Sequence, residues 1–67
     1  MKNKISEYRK AKGLTQPQLA ELAGLTSYTL IQRYEHGSRE PGVCIALRIA
    51  KALDCTVEDL FELEEND

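Results

Sequence analysis

Residues 14–37, LTQPQLAELAGLTSYTLIQRYEHG, read as two short helices joined by a tight turn. Thr15 opens the first, and Gln18 three residues later completes a capping box, in which the two side chains serve exposed N–H groups of the first turn. Gln16 and Pro17 fill that turn, where a missing backbone N–H costs nothing. Leu19, Ala20, Leu22 and Ala23 follow at helical spacing, and Gly24 supplies the left-handed residue that stops the helix. Leu25 anchors the turn, Thr26 or Ser27 caps the second helix, and Ile31 and Tyr34 mark its buried stripe. The remaining face is polar. Two helices so arranged are a helix-turn-helix, whose usual use is to lay the second helix in a DNA groove.

Working outward, helical periodicity extends to most of the chain. A first helix is expected over residues 3–12, with Ile5, Tyr8 and Ala11 on one side and Gly13 as its stop. The pair above occupies residues 16–23 and 28–36, the latter ended by Gly37. Residues 38–42 form the one real loop. A fourth helix over residues 43–53 carries Ile45, Ala46, Ile49, Ala50 and Leu53 as a 3.6-residue stripe. Asp54 takes the left-handed stop position, which Asp tolerates better than most residues. Thr56 caps a fifth helix over residues 57–63, with Glu58 and Asp59 well placed in its first turn. No strand pattern, repeat or low-complexity segment is visible. The fold class is therefore all-α, one domain over residues 1–63 followed by an acidic tail at 64–67.

Sixty-seven residues suffice for one small core. No run approaches 18 apolar residues and no charged-then-apolar leader is present, so no membrane partner and a cytoplasmic location are expected. Cys44 and Cys55 lie among apolar residues without metal-ligand spacing, and are expected as buried, reduced thiols. No metal and no cofactor is expected. Neither a Ser-His-Asp set, a carboxylate pair, a Cys-His pair nor a phosphate loop is visible, so the chain is not expected to be an enzyme.

The formal net charge of −2 is unevenly placed. Residues 1–39 carry seven Lys and Arg against Glu7, Glu21 and Glu35, a balance of +4. Residues 40–67 carry Arg48 and Lys51 against eight acids, a balance of −6. A basic half around the helix pair suits a surface presented to phosphates.

Taken together, Leu14-Thr15-Gln16, Leu19-Ala20, Gly24-Leu25, Ile31, Tyr34-Glu35, Gly37, Pro41, Ile49-Ala50, Leu53, Val57 and Leu60-Phe61 resemble the phage repressor and Cro-like helix-turn-helix domains, the Xre family. The resemblance spans Ile5 to Phe61. It implies a compact five-helix bundle of the repressor-like type that binds an operator in double-stranded DNA, generally as a homodimer. It also places Arg9 and Glu35 where a partly buried ion pair ties the first helix to the end of the third. One departure stands out: Gly24 and Glu35 enclose one residue more than the common pattern. Either the turn is longer, with Ser27 as cap, or Thr26 caps and the helix absorbs the residue as a bulge. Counting back from Glu35 favours the longer turn. Deleting Thr26 or Leu30 should then be tolerated better than deleting Ile31.

In that register Tyr28, Thr29, Gln32 and Arg33 face the major groove. Gln can bond adenine and Arg guanine bidentately, while Tyr28 and Thr29 suit a thymine methyl or a phosphate. Gln16, Ser38 and Arg39 are the candidate phosphate contacts, and Lys10 and Lys12 add long-range attraction. His36 reads as an exposed helix-end residue. Cys44, Leu47, Leu60 and Leu63 are the candidate dimer surface. Nothing in these 67 residues is left over as a sensor of a small-molecule effector. The competing reading is a protein-interaction module with the same fold, favoured by the acidic balance and the altered turn.

Overall fold

Polar side chains just ahead of the apolar stripe begin most of the helices, but the fourth follows Gly42 without a side-chain cap. The structure, a computed structural model, describes residues 2–65. Its elements are β1 (Lys2–Asn3), α1 (Ile5–Ala11), α2 (Gln16–Leu22), α3 (Tyr28–His36), α4 (Val43–Ala52), α5 (Val57–Leu60) and β2 (Phe61–Glu62). Thr15 and Thr56 each form a complete capping box, with Gln18 and Asp59 respectively. Ser27 caps α3, its hydroxyl accepting the N–H of Thr29 at 3.2 Å. The turn between α2 and α3 is thus the longer one, and α3 contains no bulge.

Helices α1 to α4 close in the same way. The residue after the closing one donates its N–H to the carbonyl five residues back: Leu14 to Arg9, Leu25 to Ala20, Ser38 to Arg33 and Cys55 to Ala50. This closure needs a left-handed residue just before the donor. Gly24 and Gly37 meet it at φ of 73° and 77°, and Asp54, the one non-glycine with positive φ among the described residues, at 55°.

Ile5, Leu19, Ile31, Tyr34, Ile49, Leu53 and Leu60 form the centre of the core, where all five helices meet. The Cα radius of gyration is 10.8 Å, close to the roughly 11 Å of a folded chain this long. No described helix is long and apolar enough to cross a membrane.

The structure corrects several expectations. A two-stranded antiparallel ribbon pairs Lys2 with Glu62 and Asn3 with Phe61, so the fold is helical with a small strand pair. Helix α1 begins at Ile5, because Asn3 Oδ1 accepts the Ile5 N–H at 3.2 Å and the Lys4 N–H donates to Leu60 O at 2.7 Å. Helix α5 stops at Leu60: Phe61 takes extended backbone angles, and ladder bonds to β1 replace further turns of a four-residue helix. Ala11 is exposed, since six residues at about 100° each carry it about 120° off the Ile5 line. Leu22 is 60% exposed, about 100° from the midline of Leu19, Ala20 and Ala23. Cys44 is exposed and Cys55 half-buried, so neither is a core residue. Burial raises the Cys55 thiol pKa, with Asp59 and Asp54 adding to the effect. Residues 1, 66 and 67 of the expected domain and acidic tail lie outside the described residues.

Candidate nucleic-acid interface

Helix α3 is amphipathic because Ile31 and Tyr34 share one line and are buried, at 0% and 2% exposure. About 170° from their midline stand Thr29 and His36, with Gln32 and Arg33 about 130° away on either side. Gln32, Arg33 and His36 are exposed, and Thr29 is half-buried. Tyr28, at the first helical position, is 48% exposed and lies at the edge of this face. These side chains form a continuous polar ridge able to donate and accept hydrogen bonds. Among the described residues Arg33 and Arg39 are in no ion pair, which leaves both guanidinium groups available to an anionic partner.

The C-terminal end of α3 is heavily tied. Arg9 Nε donates to Glu35 Oε2 at 2.7 Å, with the two side chains only 11% and 9% exposed. Arg9 Nη2 reaches Glu35 Oε1 at 3.3 Å, and Arg9 Nη1 donates to Leu14 O at 2.8 Å. Arg9 lies about 40° from the Ile5 line of α1, at the rim of the core, which brings it to Glu35. Gln16 Nε2 also donates to Glu35 Oε1, at 3.1 Å. On the α2 wheel Gln16 lies between Ala20 and Ala23, both buried, so it points inward across the start of the helix. One carboxylate therefore joins α1, α2 and α3. Asn3 Nδ2 adds a bond to Tyr34 O at 2.8 Å.

Of the residues expected at phosphates, Ser38 and Arg39 are exposed just beyond α3. The Ser38 hydroxyl donates to Arg33 O at 3.3 Å, so it also closes the helix. Gln16 is the third, with one amide hydrogen committed to Glu35. Lys12 pairs with Asp54 at 2.8 Å, and that contact, first through its hydrogen bond, holds the Asp54 carboxyl below its ordinary pKa. Two of the seven cations of the basic half, Arg9 and Lys12, are therefore internally neutralised. No group of three or more His, Cys, Asp and Glu side chains able to hold a metal occurs among the described residues.

Two roles escaped sequence reasoning. Asn3 falls inside the helix expected over residues 3–12, although an Asn two residues before an apolar helical run is itself a turn-forming signal. The inward direction of Gln16 was available from the wheel of α2 alone.

Residues of α4, α5, β2 and the loop before α4 line an apolar groove of about 280 Å³: Pro41, Val43, Ala46, Leu47, Val57 and Phe61. Val43 is 78% and Leu47 55% exposed. Leu60, expected at a dimer surface, is instead 1% exposed, because it closes the core beneath β2.

Residues 5–60 match the sequence model of the family described as Helix-turn-helix. The HTH-type transcriptional regulator YgzD of Bacillus subtilis is 42% identical over 65 residues, covering 97% of each chain. The crystal structure of the restriction-modification controller protein C.AhdI from Aeromonas hydrophila superposes with a TM-score of 0.81 at 38% identity, over 87% of this chain and 86% of that one. A chain in the SinR–SinI protein complex gives a TM-score of 0.80 at 26% identity, over 94% of this chain and 66% of that one.

Proposed function

Since this chain belongs to the helix-turn-helix family and is a DNA-binding transcriptional regulator, not an enzyme, we propose that α3 enters the major groove of a duplex operator. In this reading Tyr28, Thr29, Gln32 and Arg33 meet base edges. The carrying observation is the exposed polar ridge of α3, with Arg33 outside every ion pair of the described residues. Gln32 suits adenine and Arg33 guanine, each pairing contributing about 1–3 kcal/mol of discrimination. Thr29 and Tyr28, at the start of the helix, meet a thymine methyl or a phosphate.

Phosphates are held by Arg39 and Ser38 just past the C-terminal end of α3 and by Gln16 at the start of α2, which is bonded to Glu35 in the last turn of α3. The Gln16 amide nitrogen keeps a second hydrogen for a phosphate oxygen while the first stays on Glu35. Arg9 neutralises Glu35, so this contact does not oppose two anions. The Arg9–Glu35 pair itself is a structural tie, not a DNA contact.

A single domain of this size buries too little DNA for tight specific binding, so the acting form is a homodimer on half-sites about 34 Å apart. The α4–α5 groove, with Val43 and Leu47 exposed at its edge, is the surface that a second copy covers. Such a regulator works in the cytoplasm, with access to the chromosome. Replacing Leu47 with Glu should convert a dimer to a monomer in sedimentation analysis, with the fold intact. Selection from a random duplex pool tests the whole proposal. It should yield a palindrome bound with a log K that falls by about 0.9 per phosphate contacted for each unit of log salt. Recovery of no common sequence, or binding indifferent to salt, would rule it out.

A further inference from the structure

Asn3 uses both ends of its amide. Its Oδ1 accepts the Ile5 N–H at 3.2 Å and starts α1. Its Nδ2 donates to the carbonyl of Tyr34 at 2.8 Å, across 31 residues of sequence. Its backbone is paired with Phe61 in the ribbon. Tyr34 directly follows Arg33, and its carbonyl lies in the last turn of α3, where it also accepts the Gly37 N–H at 3.1 Å.

The other ties at this end of α3 grip a side chain, the Glu35 carboxylate, which has three rotatable bonds between it and the helix backbone. Asn3 grips the main chain itself. We infer that Asn3 is a positioning residue for DNA recognition, holding the last turn of α3 to the β1–β2 ribbon so that Gln32 and Arg33 keep a fixed aim. Base-edge hydrogen bonds demand donor–acceptor distances of about 2.7–3.2 Å and near-linear geometry, so they degrade when a helix tilts. Phosphate contacts through long flexible side chains tolerate the same tilt and carry no sequence information. Loss of the Asn3 tie therefore falls on discrimination more than on general DNA affinity.

This rests on the proposal that α3 reads bases, and the test separates the two. Dissociation constants of the full chain are measured on the duplex recovered by selection and on a scrambled duplex of equal length. Asn3→Asp keeps an oxygen for the Ile5 N–H but removes the donor to Tyr34 O, while Asn3→Ala removes both. In each variant the ratio of selected to scrambled affinity should fall about three- to tenfold, the worth of one hydrogen bond. The salt dependence should stay unchanged, because no phosphate contact is lost. The melting temperature should drop more in Asn3→Ala. If Asn3→Asp leaves the ratio unchanged, or weakens both duplexes equally, while Arg33→Ala collapses the ratio, the positioning role is overturned and the reading of α3 survives. If Arg33→Ala also leaves the ratio unchanged, both fall. Should Asn3→Asp fail to fold, the ratio measured on Asn3→Ala decides in the same way.

Discussion

The two ends of α3 are built differently. At its C-terminal end Glu35 is bonded to Arg9 of α1 and Gln16 of α2, and Tyr34 O to Asn3 of β1. All are long-range polar ties from other elements. At its N-terminal end the side-chain polar bond is local, Thr29 N–H to Ser27 Oγ, and the rest is apolar packing by Leu25, Leu30 and Ile31. The extra residue of the turn sits at this lightly tied end. A recognition helix pinned at one end and locally capped at the other can accept a change in its turn without losing its aim. The difference also predicts that stability and aim are controlled from the C-terminal end, while the N-terminal end is open to variation.

The largest expected effect breaks the pinned end. Arg9→Ala would leave Glu35 nearly buried without its cation, and Glu35→Ala would strand Arg9. Either should cost about 3–5 kcal/mol, and at roughly 4–8 °C per kcal/mol in a domain this small the loss should be plain in a thermal melt. A drop of only a degree or two would show that the tie is dispensable.

At the opposite end, Ser27→Ala removes one cap and should cost about 1 kcal/mol. Deleting Thr26, which is exposed and precedes the cap, should move the melting temperature less than that. Leu30 lies inside α3 and packs against the core, so the structure ranks its deletion as worse than that of Thr26, with Ile31 worst. If removal of Thr26 unfolded the chain, the tolerant end would be misidentified.

The smallest effect lies away from both ends. Lys12 holds the Asp54 carboxyl, and the Thr56 N–H, helped by its hydroxyl, holds the Asp59 carboxyl below the ordinary value of 3.8. A folded-state value below the unfolded one stabilises the fold above pH 3.8, and that contribution is lost as pH falls through the lowered values. Melting temperature should therefore decline in acid, and the decline should be shallower in the Asp54→Asn, Asp59→Asn double variant. An identical acid profile would contradict these contacts.

Much of this was legible in the residues, and the limits are physical. Caps, stops and helix stripes depend on neighbours within four positions, so Thr15, Gly24, Gly37 and Asp54 could be placed without a fold, while the choice of Ser27 over Thr26 as cap came from the family spacing to Glu35. Glu35 as the partner of Arg9 followed from family resemblance, because nothing local joins residues 26 positions apart. The ribbon escaped detection because two strands of two residues have no periodicity to display. Its pairing shortened α1 and α5 from what their sequences alone favour. Gln16, expected at a phosphate, has an inward direction that the wheel of α2 gives, but its partner Glu35 lies nineteen residues away and is not a local signal.

Whether the outer face of α3 reads bases is decided by one titration series. The Gln32→Ala, Arg33→Ala double variant is titrated against the selected and the scrambled duplex, with its melting temperature recorded alongside. Preference for the selected duplex should fall by about 2–6 kcal/mol if the two pairings add, while the melting temperature stays close to that of the parent, since both side chains are exposed. Retained preference for the selected duplex, or lost preference accompanied by an equal loss of folding, would show that Gln32 and Arg33 are not base readers.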